Sequence, residues 1–198
     1  MENYSQNDEQ NIILSYFGDK KGTLLDIGAN DGKTFSNSLA LIKSGWDAVL
    51  VEPHPVAFSL LNELHKGNDK VMTFNVAISD KDGDIVLHTN EPHIEGDTGL
   101  LSTIVPEEKN RWGLAFFEEM VKAYSWKTFS DVVEKKYDFI TIDAEGMDYT
   151  ILTQIDLSDT SMVCVEFNSK EMDRYVTYCS KFGLKLHGVN PENLIFAR

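Results

Sequence analysis

Short apolar runs along this chain alternate with longer stretches in which apolar positions recur every three or four residues. The runs at 23–27, 48–51, 71–78, 137–142 and 162–167 read as strands. The stretches 8–17, 33–44, 55–66, 147–154 and 169–182 read as helices. The inward sides predicted for the first three are Ile12, Ile13, Tyr16 and Phe17; then Phe35, Leu39 and Ile42; then Val56, Leu60 and Leu64, with Pro55 at an early helical position. A Lys-Asp-Gly turn leads into an extra strand at 84–89. Two last runs, 184–189 and 194–197, are joined by Asn190-Pro191-Glu192-Asn193, too short for a crossover, and so form an antiparallel pair. The alternation predicts an α/β fold with a mostly parallel sheet.

Residues 90–126 break this rhythm, and a connection that long in a compact domain usually has a function. The segment carries His93, Trp112, Phe116, Phe117, Tyr124 and Trp126. The spacing predicts a helix over 107–123, with Trp112, Phe116, Met120 and Ala123 along one side as core packing, and a lid over 93–105. The expected organisation is one domain over 1–198 with a substrate or lid insertion at about 90–126.

The stretch 23–53 carries the first chemical signal. An apolar strand containing Asp26 meets the turn Gly28-Ala29-Asn30-Asp31-Gly32, and a second strand ends at Glu52. Such a unit binds a nucleoside, the terminal acid accepting hydrogen bonds from both ribose hydroxyls and the glycines admitting the ligand to the backbone. A dinucleotide site needs G-x-G-x-x-G to seat a pyrophosphate. Here the spacing is Gly28-x-x-x-Gly32, Asn30 replaces the second glycine, and Asp26 would repel phosphate while attracting an ammonium or sulfonium group. S-adenosylmethionine has both of those cations and a ribose. The alternative is a structural turn with surface acids.

Composition narrows the partners. Net charge is −14, and a nucleic-acid backbone calls for a basic footprint, so nucleic acid is disfavoured. The acidic N-terminal residues do not resemble a secretory signal, and no apolar run reaches the roughly 20 residues needed to span a bilayer. The expectation is a cytoplasmic protein without a membrane partner. Cys164 and Cys179 fall in an apolar strand and a helix and read as buried free thiols.

The ordered motifs D-I-G-A-N-D-G, V-E-P-H-P-V-A-F, N-V-A-I-S-D and I-D-A-E-G-M-D resemble the FkbM family of S-adenosylmethionine-dependent methyltransferases, from about Leu24 to the C-terminus. The resemblance implies a class I methyltransferase (Rossmann-like) fold: a mostly parallel seven-stranded sheet, helices on both faces and a C-terminal antiparallel hairpin. It also implies O-methylation of a hydroxyl on a sugar, glycan or small natural product.

Ligands of open α/β sheets bind beyond the C-terminal strand ends. The donor's methionine end is therefore expected near Asp26, Gly28, Ala29, Asn30 and Gly32, its ribose at Glu52, and its adenine near Pro53, Ala77 and Ile78. Asp143, where the resemblance places donor and acceptor together, and Glu145 are the candidate catalytic acids, with His93 as the acceptor-pocket histidine. Helix capping is the other reading of Asp143 and Glu145. Asp143, Glu166 and Asn168 also match in kind the oxygen ligands of catechol-type O-methyltransferases, and imply a Mg²⁺ that would acidify the acceptor hydroxyl. Against that, Asn168-Ser169-Lys170-Glu171 is a ready capping box. The rival readings are an adenosyl-ligand binding module, an N-methyltransferase acting on protein or nucleic acid, and an NAD-dependent oxidoreductase.

Overall fold

The computed structural model describes residues 2–92, 94, 97–168 and 171–198. In chain order the elements are α1 (Glu9–Phe17), β1 (Thr23–Ile27), α2 (Leu39–Lys43), β2 (Asp47–Val51), α3 (Pro55–Leu64), β3 (Val71–Phe74), β4 (Ala77–Ser79), β5 (Gly83–Asn90) and α4 (Lys109–Trp112). There follow β6 (Phe116–Ser125), α5 (Trp126–Val133), β7 (Phe139–Ile142), α6 (Asp148–Leu152), β8 (Met162–Glu166), α7 (Met172–Ser180), β9 (Lys185–Val189) and β10 (Asn193–Ala197). The main sheet runs β3-β2-β1-β7-β8-β10-β9. Its first five strands are parallel, and β10 pairs antiparallel with both β8 and β9.

The strand period of two sorts residues between two layers. Leu24, Leu50, Phe139, Cys164 and Ile195 pack under Ile13 and Phe17 of α1, Leu41 and Ile42 of α2, and Leu61 of α3. Leu25, Val49, Ile140, Val163 and Phe196 pack under Phe129 and Val133 of α5, Ile151 and Leu152 of α6, and Tyr175 and Cys179 of α7. The seven-stranded α/β architecture with helices on both faces is therefore as expected. Both cysteines are free and buried. No helix among the described residues is long and apolar enough to cross a membrane.

Four predicted elements differ from the structure. Helix α2 begins at Leu39, not at residue 33. Asp31 Oδ1 accepts from Lys33 N and Thr34 N, and Ser36 Oγ from Ser38 N and Leu39 N, so local side chains satisfy the backbone outside a helix. Phe35 consequently sits at φ 56 and is exposed rather than inward.

In α3, Val56, Leu60 and Leu64 face outward while Ala57 and Leu61 are buried. Both stripes are apolar at spacing four, so periodicity does not choose between them. Leu61 packs into the core with Leu24, Leu41 and Leu50, and that contact turns α3 to its Ala57–Leu61 side.

The run 71–78 is two strands. Asn75 breaks it, its amide donating to the Glu52 and Pro53 carbonyls, and β4 then pairs with β6. The predicted helix over 107–123 is a helical turn followed by β6, which forms a three-stranded sheet in the order β4-β6-β5. An eight-residue pairing with β5 outweighs the helical spacing. Of the predicted stripe only Ala123 is core; Phe116 is half-buried, and Trp112 and Met120 are exposed. Helix α5, capped by Ser125 Oγ accepting from Thr128 N, was not foreseen.

Candidate active site

Strand order reverses between β1 and β7, which opens a crevice at their C-terminal ends. A cavity of about 510 Å³ lies there, a size suited to a small molecule. Asp26, Gly28, Ala29, Asn30, Glu52, Pro53, Ala77, Ile78, Asp143, Glu145, Glu166 and Asn168 all line it. Gly32 does not, and His93 lies outside the described residues.

The β1–α2 turn is built by its glycines, at positions where packing leaves no room for a side chain. A Cβ on Gly28, at φ 85, would overlap the Asp143 carbonyl, and one on Gly32 would meet Leu61 and Leu64. Gly28 N and Ala29 N both donate to the Val51 carbonyl, which holds β1 and β2 level at their ends. Glu52 completes the turn: its Oε2 accepts from Asn30 N at 2.8 Å and its Oε1 from His54 N at 2.7 Å. Each oxygen retains a lone pair for a further donor. Asn30 Oδ1 already accepts from Asp31 N and Thr98 Oγ1, so that oxygen is committed to the protein.

The 97–103 segment is tied down over this turn. Thr98 O is 2.8 Å from His54 Nδ1, Asp97 Oδ1 accepts from Gly99 N and Leu100 N, and Thr103 exchanges backbone bonds with His88. His54 thus binds the segment through its ring and makes no side-chain cap on α3. Thr103 Oγ1 donates to the Glu145 carbonyl at 2.7 Å, joining the segment to the β7–α6 turn.

That turn settles the capping question. Asp148 accepts from Ala144 N and Gly146 N, closing the turn by itself. The N-cap of α6 is Met147, with no side-chain cap bond, so Asp143 and Glu145 are not helix caps. Glu145 sits at φ 43, a conformation that a non-glycine residue adopts only under constraint. Asn168 is not a cap either. The N-cap of α7 is Glu171, and Asn168 Oδ1 accepts from Arg111 Nη2 at 2.8 Å. Ser169 and Lys170 of the predicted capping box lie outside the described residues.

Carboxylates crowd this edge of the sheet. Burial is the first cause of every shift here. It raises Asp26 to about 6, against a hydrogen bond from Ser38 Oγ, and Glu52 to about 7, against the bonds from His54 N and Asn30 N. It also raises Asp143, Glu145 and Glu166, helped by charge repulsion from Asp148 on Asp143 and from Asp143 on the two glutamates. Asp143 keeps an accessible face, but it lines the cavity. One oxygen each of Asp143, Glu145 and Glu166 lies within 4.8 Å of the others. The sequence-derived metal set held Asn168 where the structure brings in Glu145.

Several cavity residues carried no usable sequence signal. Phe35, Ser36 and Asn37 come from a stretch read as helix, and Glu9 reaches the site from α1. Arg111, stacked over the Trp112 ring at 4.5 Å, is the one Lys or Arg among the described lining residues. Asn37 Oδ1, Ser102 Oγ, Glu145 Oε2 and Glu166 Oε2 are buried beside the cavity with no hydrogen-bond partner. Buried polar atoms are rarely left so, and here they face space that a ligand would fill.

Residues 26–183 match the family model described as the methyltransferase FkbM domain. No curated protein matches the chain. Among solved structures, the fold is similar to monomeric WbdD, with a TM-score of 0.51 and 12% identity over 98% of this chain. The chain spans 41% of that protein's length. It is similar also to the delta-N METTL16 MTase domain, with a TM-score of 0.50 and 12% identity over 96% of this chain and 80% of the other. At such identities the likeness is one of fold. The family match, the reversed strand order and the acid-ended β2 agree, and the chain belongs to the FkbM family of S-adenosylmethionine-dependent methyltransferases.

Proposed function

We propose that this methyltransferase acts on oxygen, transferring the methyl group to a hydroxyl of a sugar, glycan or similar small natural product. The observation that carries this reading is the set of buried, unpartnered oxygens on residues lining the cavity, at Asn37, Ser102, Glu145 and Glu166. Acceptor-rich walls pair with hydroxyl donors. The same acids repel a polyanionic acceptor. Trp112, exposed and lining the cavity beside Arg111, offers a ring face to a pyranose.

S-adenosylmethionine supplies an already activated methyl group, so the protein's main task is alignment. Glu52 would hold the ribose through its remaining lone pairs, and Asp26 the methionine ammonium. The walls of Pro53, Ala77 and Ile78 would take the adenine. Asp143, on the cavity lining just past β7, is the candidate base for the acceptor proton. Its burial raises its affinity for that proton, toward the range in which a carboxylate can act as a base near neutrality. His93 is kept as a second candidate base.

The test is methyl transfer from labelled donor to a panel of glycans, small phenols, peptides and RNA. Label is expected in glycan or small hydroxyl compounds. Label appearing only in peptide or RNA would overturn the substrate class. Calorimetric titration is expected to show S-adenosylhomocysteine binding and no NAD binding; tighter NAD binding would defeat the donor assignment itself.

A further inference from the structure

We propose that Asp143, Glu145 and Glu166 form a divalent-cation site at the acceptor side of the cavity. The three carboxylates come from two parallel strand ends, Asp143 and Glu145 following β7 and Glu166 closing β8. Glu145 is 7% exposed and Glu166 6%, and one oxygen of each, Oε2, has no hydrogen-bond partner. Two buried carboxylates, each with an unpartnered oxygen, call for neutralisation, by a bound proton or by a cation held between them. Arg111, the one Lys or Arg among the described lining residues, lends Glu145 some favourable charge but hydrogen-bonds elsewhere. Arg111 directs its guanidinium to Asn168 Oδ1 at 2.8 Å and to Glu108 at 3.7 Å.

The spacing matches a small hard ion. Oxygens bound to one ion can be no further apart than twice the metal–oxygen distance, about 4.2 Å for Mg²⁺ and about 5.2 Å for Ca²⁺. The three ligand atoms already lie within 4.8 Å of one another. Ca²⁺ would fit as the site stands, and Mg²⁺ or Mn²⁺ after a contraction of a few tenths of an ångström. An all-carboxylate set selects such ions over zinc or copper.

The backbone holds this arrangement in place. The Asp148 clamp on Ala144 N and Gly146 N and the Thr103 bond to the Glu145 carbonyl fix Glu145 in its left-handed conformation, which spends backbone strain to hold that residue there. Phe167 N and Asn168 N donate to the Glu192 carbonyl and fix the chain just past Glu166. The ion's expected role is to hold and orient the acceptor hydroxyl, and that role rests on the O-methylation reading above. Binding of the ion does not.

The experiment is titration of metal-stripped protein with MgCl₂, CaCl₂ and MnCl₂ separately, by calorimetry and by Mn²⁺ electron paramagnetic resonance. One site per chain is expected, saturating below about 1 mM for at least one of the three ions. Glu145→Gln and Glu166→Gln are each expected to weaken binding at least about tenfold, while Glu63→Gln and Asp84→Asn on the surface leave it unchanged. No saturable site up to about 5 mM, or binding untouched by both cavity variants, would overturn the proposal. If either variant fails to fold, the wild-type stoichiometry and the other variant still decide. S-adenosylhomocysteine is titrated in parallel with EDTA present. Its failure to bind beside an intact cation site would sink the methyltransferase reading alone. Normal binding beside no cation site would sink only the ion.

Discussion

Glu52 carries two duties on one carboxylate. It holds the β1–α2 turn through Asn30 N and His54 N, and it presents its remaining lone pairs to the cavity. Glu52→Ala is expected to weaken S-adenosylhomocysteine binding by about 1.5–3 kcal/mol, as for losing charge-assisted bonds to two hydroxyls. A 2′,3′-dideoxy analogue should then bind variant and wild type alike. Unchanged affinity for the natural ligand would remove the ribose role. Asp143 has no part in closing the α6 turn, which Asp148 holds without it. Asp143→Asn should abolish turnover with an unaltered circular dichroism melt; a normal rate would dismiss it as the base. Gly28 is dictated by packing, because any side chain there strikes the Asp143 carbonyl. Gly28→Ala should therefore cost folding stability as well as ligand binding, measurable as a lowered melting temperature without ligand.

At the scale of elements, α3 shows how a correct helix can carry a wrong face. Its sequence holds two apolar stripes, and only packing against the core beneath selects Ala57 and Leu61 for burial. Leu61→Ala should cost about 2–5 kcal/mol. Leu60→Ser, on the exposed stripe, should stay within about 0.5 kcal/mol. Urea denaturation compares them, and equal costs would contradict the observed orientation. The second sheet matters to the site through one connection. Strand β4 carries Ala77 and Ile78 away from the main sheet yet leaves them on the cavity wall, and pairing with β6 holds them there.

Over the whole molecule, the cavity is a collection of acids withheld from water. Their raised proton affinity sets the pH response of the ligand-free protein. A carboxylate with a folded pKa above its unfolded one stabilises the fold fully below the unfolded value, and that contribution is lost as pH rises through the folded value. Glu52 moves from 4.5 to about 7 and Asp26 from 3.8 to about 6, so ligand-free stability should fall between about pH 4 and pH 7. Thermal melts across that window test this, and Glu52→Gln should flatten the upper part. Hydroxyl and ammonium donors favour the ionised acids, so binding S-adenosylhomocysteine near pH 6 should release protons. Calorimetry in buffers of different ionisation enthalpy reads that release, and proton uptake would contradict it.

What the sequence settled by itself was whatever depends on neighbours along the chain. The apolar runs marked β1, β2, β7, β8 and β10, because a strand buried on both faces is apolar nearly throughout, and the short turn before β10 marked the exposed edge strand β9 as its antiparallel partner. The acids Asp26, Glu52, Asp143, Glu145 and Glu166 were legible as a group, since each stands at or just past a strand end and parallel strands deliver their ends to one edge. Helical spacing failed where a partner strand was on offer: β6 is held by eight residues of β5, and no local pattern records that pairing. The cavity-lining side chains of Phe35, Asn37 and Arg111 were hidden for a like reason, as their positions follow from turns and stacking. Tertiary structure alone brought Glu145 beside Glu166 in place of Asn168, because a left-handed residue in a clamped turn redirects a side chain in a way that strand alternation cannot foretell.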